Sequence, residues 1–219
     1  MPIDVAVLDV DGTVATCPYD FDAMRAAVGR IAARWRVDTK ALGVRGIIEQ
    51  IEETAKRLGD SGEAFRQEAE RAVVALEVPA ARQAVLLPGV SDALARLRRQ
   101  GVAIALITRN CRAATDLVLR GSNEYDLLLT RDDVPYVKPN PDHVHRCLTA
   151  LGRTPDRAVV VGDHPYDIHA GRAARVRFCL GVRTGNSSDA TLLEAGADDV
   201  IGSLADLPDW VSARKEHAS

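Results

Sequence analysis

At 219 residues, with 28 Lys and Arg against 31 Asp and Glu and a formal charge of −3, the chain can bury one large core or a core with an insert. That balance leaves no basic field of the kind that holds nucleic acid or an anionic membrane, so neither is expected as a partner. The four cysteines, Cys17, Cys111, Cys147 and Cys179, form no C-x-x-C or Cys/His pattern, which argues against a zinc site and a disulfide framework and for reduced thiols in a cytoplasm.

The chain begins "MPIDVAVLDVDGTV", with no basic leader and an immediate strand signal, and it is expected to be uncleaved. No apolar run approaches the ~20 residues of a membrane span. "VAVLD" at 5 to 9 is apolar on both faces, as a buried parallel strand requires. From about Tyr19 to Ala84 the rhythm changes to amphipathic helix: "FDAMRAAVGRIAARW", "ALGVRGIIEQIEETAKRL" and "GEAFRQEAERAVVALEV", separated by "RVDTK" and "GDSG". "LLPGV" at 86 to 90 returns to the first pattern. There follow a helix with a Ser91 N-cap candidate and a Gly101 stop, the strand "VAIALIT" (102 to 108), the strand "YDLLLT" (125 to 130), and a helix from Asn140 to Gly152. The strand "AVVVGD" (158 to 163) comes next, then weaker strands at 176 to 182 and 197 to 201. The alternation predicts an α/β doubly wound parallel sheet. The expected core comprises residues 1–16 and 85–219, and 17–84 forms an inserted helical domain.

Asp9 and Asp11 lie two apart, so both can point the same way where the first strand ends, and Gly12 permits a sharp exit. Read alone, "DVDGT" is equally a functional acid pair or a solvated D-G turn. A calcium loop of the D-x-D-x-D-G kind is excluded, because Thr13 and Val14 occupy its third acid and glycine positions. Thr108 ends another strand and is followed by Arg109 and Asn110; Lys138 stands in "VKPNP"; Asp163 ends a third strand with Asp167 four residues on. Each has a plain alternative, a helix N-cap for Thr108, a loop lysine for Lys138, a first-turn acid for Asp167. Their joint order at strand ends is harder to explain away.

"DVDGT", Thr108 in "LITRN", Lys138 in "VKPNP" and "GDHPYD" resemble, in order and spacing, the four motifs of the haloacid dehalogenase superfamily, and within it most of all the phosphoglycolate-phosphatase-like members with a helical cap. The resemblance spans residues 3 to about 202. It implies that Asp9 is a nucleophile forming an aspartyl-phosphate and Asp11 the general acid/base. Thr108 and Lys138 would hold the phosphoryl oxygens, with Gly12, Thr13, Arg109 and Asn110 as further phosphate contacts. Mg²⁺ would be held by Asp9, Asp11 through its backbone carbonyl, Asp163 and Asp167. The partner implied is a small phosphorylated metabolite, bound by a monomer or homodimer. Cap residues Arg45, Arg34 and Lys40 are candidates to meet a substrate carboxylate, Arg45 first, and His164 is read as a rim residue. Electrostatics asks for the same residue types: two like charges ~4 Å apart at an effective dielectric near 20 repel by ~4 kcal/mol, so cations must flank a carboxylate that attacks a phosphate. The expected activity is Mg²⁺-dependent hydrolysis of a phosphate monoester, the alternatives being a sugar-phosphate mutase of the same superfamily and a binding protein without turnover.

Overall fold

The first strand, Val5–Asp9, is buried along its whole length because a parallel neighbour lies on each of its edges. The computed structural model describes residues 2–44 and 46–216. From β1 (Val5–Asp9) the chain passes a two-residue strand β2 (Ala15–Thr16) into three helices, α1 (Phe21–Arg34), α2 (Ile47–Leu58) and α3 (Gly62–Ala81). β3 (Val85–Leu86) then pairs antiparallel with β2. Beyond it follow α4 (Val90–Arg99), β4 (Ala103–Ile107), α5 (Arg112–Val118), β5 (Leu127–Leu129), α6 (Asp142–Ala150), β6 (Ala158–Gly162) and α7 (Pro165–Ala173). β7 (Phe178–Val182), α8 (Asp189–Glu194), β8 (Asp199–Ile201) and α9 (Leu207–Glu216) complete the alternation. Two compact units result, one of residues up to Cys17 with those from Ala84 onward, the other of Pro18–Gln83. Among the described residues no helix is long and apolar enough to cross a membrane.

Six strands of the first unit form one parallel sheet in the order β5-β4-β1-β6-β7-β8, apart from the ribbon of β2 and β3. The chain leaves β1 toward one side of the sheet, to β4, and later fills the other side from β6 outward. A crevice therefore opens at the carboxyl ends beside β1, the place where open α/β sheets bind ligands. The register sets Asp9 against Ile107 and Leu8 against both Leu106 and Val161, so Thr108 and Asp163 emerge next to Asp9. Val5, Val7, Ala105, Ile107, Val144, Leu148, Val160, Ile168 and Cys179 pack into one core cluster of this unit. This is the doubly wound α/β sheet expected from the uninterrupted apolar runs.

The helical unit has a core of its own from Met24, Val28, Ile31, Ile51, Phe65, Ala69 and Val73, with Trp35 set edge-on against Phe65 at 6.4 Å between ring centroids. Its second helix is shorter than the pattern predicts. A 3-10 turn at Thr39–Leu42, capped by Asp38, ends on Gly43 at φ 73°, and α2 begins only after Gly46, which is extended. The periodicity of 41 to 58 carries across these two glycines, but the backbone does not. The third helix is longer than predicted, running through Pro79 to Ala81, with Pro79 in its last turn, where the missing N–H removes one helical bond. In the sheet unit the N-cap of α4 is Gly89 at φ 77° rather than Ser91, which lies inside the first turn. The ribbon of β2 and β3 has no signal in the hydrophobic pattern, being two residues on each side.

Candidate active site

Asp9 ends the central strand with 7% of its surface exposed, and the carboxylate would be costly there without cations. Lys138, itself 2% exposed, reaches it from the loop before α6: Nζ donates to Asp9 Oδ1 at 2.5 Å and to Asp167 Oδ1 at 2.5 Å. Thr13 Oγ1 lies 3.4 Å from the other Asp9 oxygen, Oδ2. Asp167 sits at the N-terminus of α7 in a capping box. Its Oδ2 accepts from the His164 N–H at 3.1 Å, while His164 Nδ1 accepts from the Tyr166 N–H at 3.1 Å. His164, read as a rim residue, is exposed and also caps α7, its ring held by the Tyr166 N–H.

Asp163 follows the last residue of β6, and its Oδ2 accepts from the Asn186 N–H at 3.3 Å. Asp9, Asp163 and Asp167 can each offer one carboxylate oxygen such that all three lie within 4.8 Å of one another. Asp11 takes a different direction. Asn110 Nδ2 donates to its Oδ2 at 2.5 Å and Thr108 Oγ1 lies 3.4 Å from the same atom, while the Asn110 N–H donates to Thr108 Oγ1 at 3.2 Å. The two acids of the opening motif thus occupy unlike surroundings, one among carboxylates and an ammonium, the other between a hydroxyl and an amide. Gly12 turns the chain at φ 86°. Arg109 donates from Nη1 to the Lys138 carbonyl and stacks over the Tyr166 ring at 4.7 Å, joining three of the segments around the site.

Burial raises the Asp9 pKa well above the usual carboxylate value; Lys138 opposes this, and Asp167, Asp163 and Asp11 reinforce it. Burial and Asp167 raise Asp163 in the same direction, against Lys138 and the Asn186 N–H. Burial works against the Lys138 ammonium too, yet Asp167 and Asp9 outweigh it and hold its pKa above the ordinary lysine value. One ion pair is read oppositely at its two ends because Lys138 faces two anions, whereas Asp9 faces one cation and several anions. With all three carboxylates ionised, one ammonium would leave two negative charges without a counter-ion, and the raised pKa values of Asp9 and Asp163 express that deficit. The donors are all hard oxygens, and that set and deficit fit a divalent cation of the same hardness.

The residues singled out from the sequence divide cleanly. Asp9, Thr13, Lys138, Asp163 and Asp167 converge on one point, Thr108, Asn110 and Asp11 on an adjoining one, and Arg109 braces the loop of Lys138. Arg45 lies outside the described residues. Arg34 is ion-paired with Glu68 inside the helical unit, and Lys40 sits in the 3-10 turn. The sequence reading passed over the segment after β7, where Thr184 and Asn186 bond Gly12 and Asp163. Its signal was a polar, glycine-containing "RTGNSS" at the end of a weak strand.

Residues 3–175 match the family model described as haloacid dehalogenase-like hydrolase. A curated relative named phosphoglycolate phosphatase, plasmid, from Cupriavidus necator is 31% identical over 95% of this chain and 93% of its own length. Another, phosphoglycolate phosphatase of Nitrosococcus oceani, is 27% identical over 95% and 96%. Among solved structures, a phosphonoacetaldehyde hydrolase-like protein from Oleispira antarctica superposes with a TM-score of 0.70 at 18% identity, covering 99% of this chain and 94% of that one, a likeness of fold. With a buried aspartate, its lysine and two further acids at the carboxyl edge of such a sheet, the chain belongs to the haloacid dehalogenase-like hydrolase family, as an enzyme of the phosphatase type.

Proposed function

We propose that the chain hydrolyses the phosphate monoester of a small metabolite, of the phosphoglycolate or sugar-phosphate class, in a Mg²⁺-dependent reaction through an aspartyl-phosphate on Asp9. The observation that carries this reading is the buried Asp9 carboxylate at the end of the central strand with the Lys138 ammonium 2.5 Å away. A carboxylate so placed keeps its charge only while cations neighbour it, and a phosphate brought to it needs the same cations.

In the first step Asp9 forms a bond to phosphorus as the ester oxygen departs, and Asp11 gives that oxygen its proton. In the second, Asp11 takes a proton from water as the water oxygen attacks phosphorus; the bond from phosphorus to Asp9 breaks and orthophosphate leaves. Thr108 and Lys138 hold the phosphoryl oxygens in both steps, with the Gly12–Thr13 turn and the Arg109–Asn110 segment lining the same pocket. Asp9, Asp163 and the Asp11 carbonyl, with Asp167 in support, would hold Mg²⁺, which would supply positive charge beside the transferring phosphoryl group. The Asn110 and Thr108 contacts to Asp11 support its separate task, since they keep its carboxylate apart from the cluster of Asp9, Asp163 and Asp167.

The helical insert 17–84 is assigned the role of a cap from its place in the chain between the strands of Asp9 and Thr108. The Cupriavidus necator relative supports putting phosphoglycolate first among substrates. Cysteines outside any disulfide among the described residues support a reducing compartment, the cytoplasm, and the enzyme is taken to work as a monomer or homodimer. The test is a panel of two- to six-carbon phosphate esters with Mg²⁺, ranked by kcat/KM, beside Asp9→Asn. Released labelled phosphate in water and an inert Asp9→Asn agree with the proposal. Wild-type turnover by Asp9→Asn removes the nucleophile, label returned to the sugar identifies a mutase, and no turnover on any ester leaves a binding protein.

A further inference from the structure

Two glycines press on the Asp163 carboxylate. A Cβ built on Gly12 would lie 2.7 Å from both Asp163 Cγ and Asp163 Oδ2, and one built on Gly185 would collide with the same carboxylate. Gly12 also sits at φ 86°, so no L side chain is accommodated there without strain. The two glycines are 173 positions apart in the chain, and a single side chain ties their segments together: Thr184 Oγ1 donates to the Gly12 carbonyl at 2.5 Å. The next residue but one adds the Asn186 N–H to Asp163 Oδ2 at 3.3 Å.

The loop that carries Thr184 is anchored on both sides. Before it, β7 pairs with β6 so that Gly181 stands opposite Gly162, the residue preceding Asp163. The Arg183 N–H donates to the Ile201 carbonyl at 3.2 Å and the Arg183 side chain ion-pairs with Asp189 at 2.8 Å. After it, Ser188 caps α8 by accepting from the Thr191 N–H at 3.2 Å. A fixed loop, a hydroxyl on the Gly12 carbonyl and an N–H on Asp163 together leave that carboxylate one slot, between two backbones.

We infer that Thr184 is a positioning residue for the divalent cation, holding the Gly12 turn and the Gly185 backbone at the spacing that aims Asp163 toward Asp9 and Asp167. The inference rests on the reading of those three acids as cation ligands. Loss of a partner that orients a metal's ligands typically costs about ten- to a hundredfold in metal affinity, and that is the range expected of Thr184 acting on Asp163 through the two backbones. It contributes little to the fold, because Thr184 is half-buried and the loop keeps its other anchors.

The experiment follows the melting temperature of the full chain against MgCl₂, starting from EDTA, for wild type, Thr184→Val, Thr184→Ala, Thr184→Ser and Asp163→Asn. The expected result is a wild-type Tm that climbs with Mg²⁺. Thr184→Val and Thr184→Ala should match wild type in EDTA and need about ten to a hundred times more Mg²⁺ for the same climb. Thr184→Ser should return to the wild-type curve and Asp163→Asn should not climb. Val and Ala curves that coincide with wild type, or that fall by the same amount with and without Mg²⁺, would overturn the role of Thr184 while leaving the three acids as ligands. Identical Mg²⁺ responses of wild type and Asp163→Asn would instead remove the ligand reading, and the inference with it.

Discussion

His143 is wholly buried in α6, with Nε2 3.1 Å from the Leu129 carbonyl and Nδ1 without a partner. A carbonyl only accepts, so Nε2 carries the proton, and protonating Nδ1 would place a charge and an unsatisfied donor in the core. Burial and the nearby Lys138 ammonium lower its pKa to about 4, against the weaker pull of the Leu129 carbonyl, Asp142 and Asp133. Well above pH 6.5 the ring is neutral both folded and unfolded. Between about pH 6.5 and 4 the unfolded chain binds a proton that the folded chain refuses, so stability falls as pH falls; below about 4 the loss is complete. A shift from 6.5 to about 4 corresponds to about 3 kcal/mol in all, of which about 2 kcal/mol is gone by pH 5. His143→Gln keeps a donor for Leu129 and has nothing to titrate. Urea unfolding of both proteins at pH 7.5, 6.5, 5.5 and 4.5 should show the wild type losing stability faster by that amount, the other acids cancelling in the difference. Parallel curves for the two proteins would refute the reasoning.

Lys138→Met leaves the buried Asp9 and Asp167 without their shared cation. Urea unfolding in EDTA should show a loss of about 3–5 kcal/mol, and kcat should fall by at least about a hundredfold. Asn110→Ala removes the donor to Asp11, a hydrogen bond to a charged group worth about 1.5–3 kcal/mol. Steady-state kinetics should show kcat down by about tenfold to a hundredfold with KM little changed. In the helical unit, Phe65→Ala empties the centre of its core and should cost about 3–5 kcal/mol. Trp35, which packs edge-on against Phe65, reports that unfolding by fluorescence in a Trp210→Phe background.

The strands were legible because burial on both faces writes itself as runs such as "VAVLD" and "AVVVG", and the first acids were legible because a carboxylate ending such a run demands a reason. The positions of Thr108 and Asp163 followed from strand ends, which the register then placed side by side, whereas Lys138 was read on the loop before a helix. What the pattern could not carry was anything decided by backbone conformation or by contacts distant in the chain. Gly43 and Gly46 interrupt a periodicity that looks continuous, and Gly89 takes the cap that Ser91 advertises. Asn110 beside Asp11 and Thr184 on Gly12 are pairs 99 and 172 positions apart, and a short polar loop has no periodicity to announce them. His143 reads as one polar residue on an amphipathic helix; only the packed structure removes its water.

The ribbon of β2 and β3 is two residues wide, Ala15 against Leu86 and Thr16 against Val85, continued by the Leu87 N–H on the Val14 carbonyl at 2.9 Å. Everything between Pro18 and Gln83 therefore departs from and returns to one neck, its two ends held at the spacing of neighbouring strands. For a segment pinned in this way the entropy of closure depends on length only logarithmically, about 0.6 kcal/mol for each doubling. The sheet is thus nearly indifferent to what is threaded through that neck. On this reasoning, an insert of another length entering and leaving through the same two strands would leave the acids at the strand ends where the parallel register puts them.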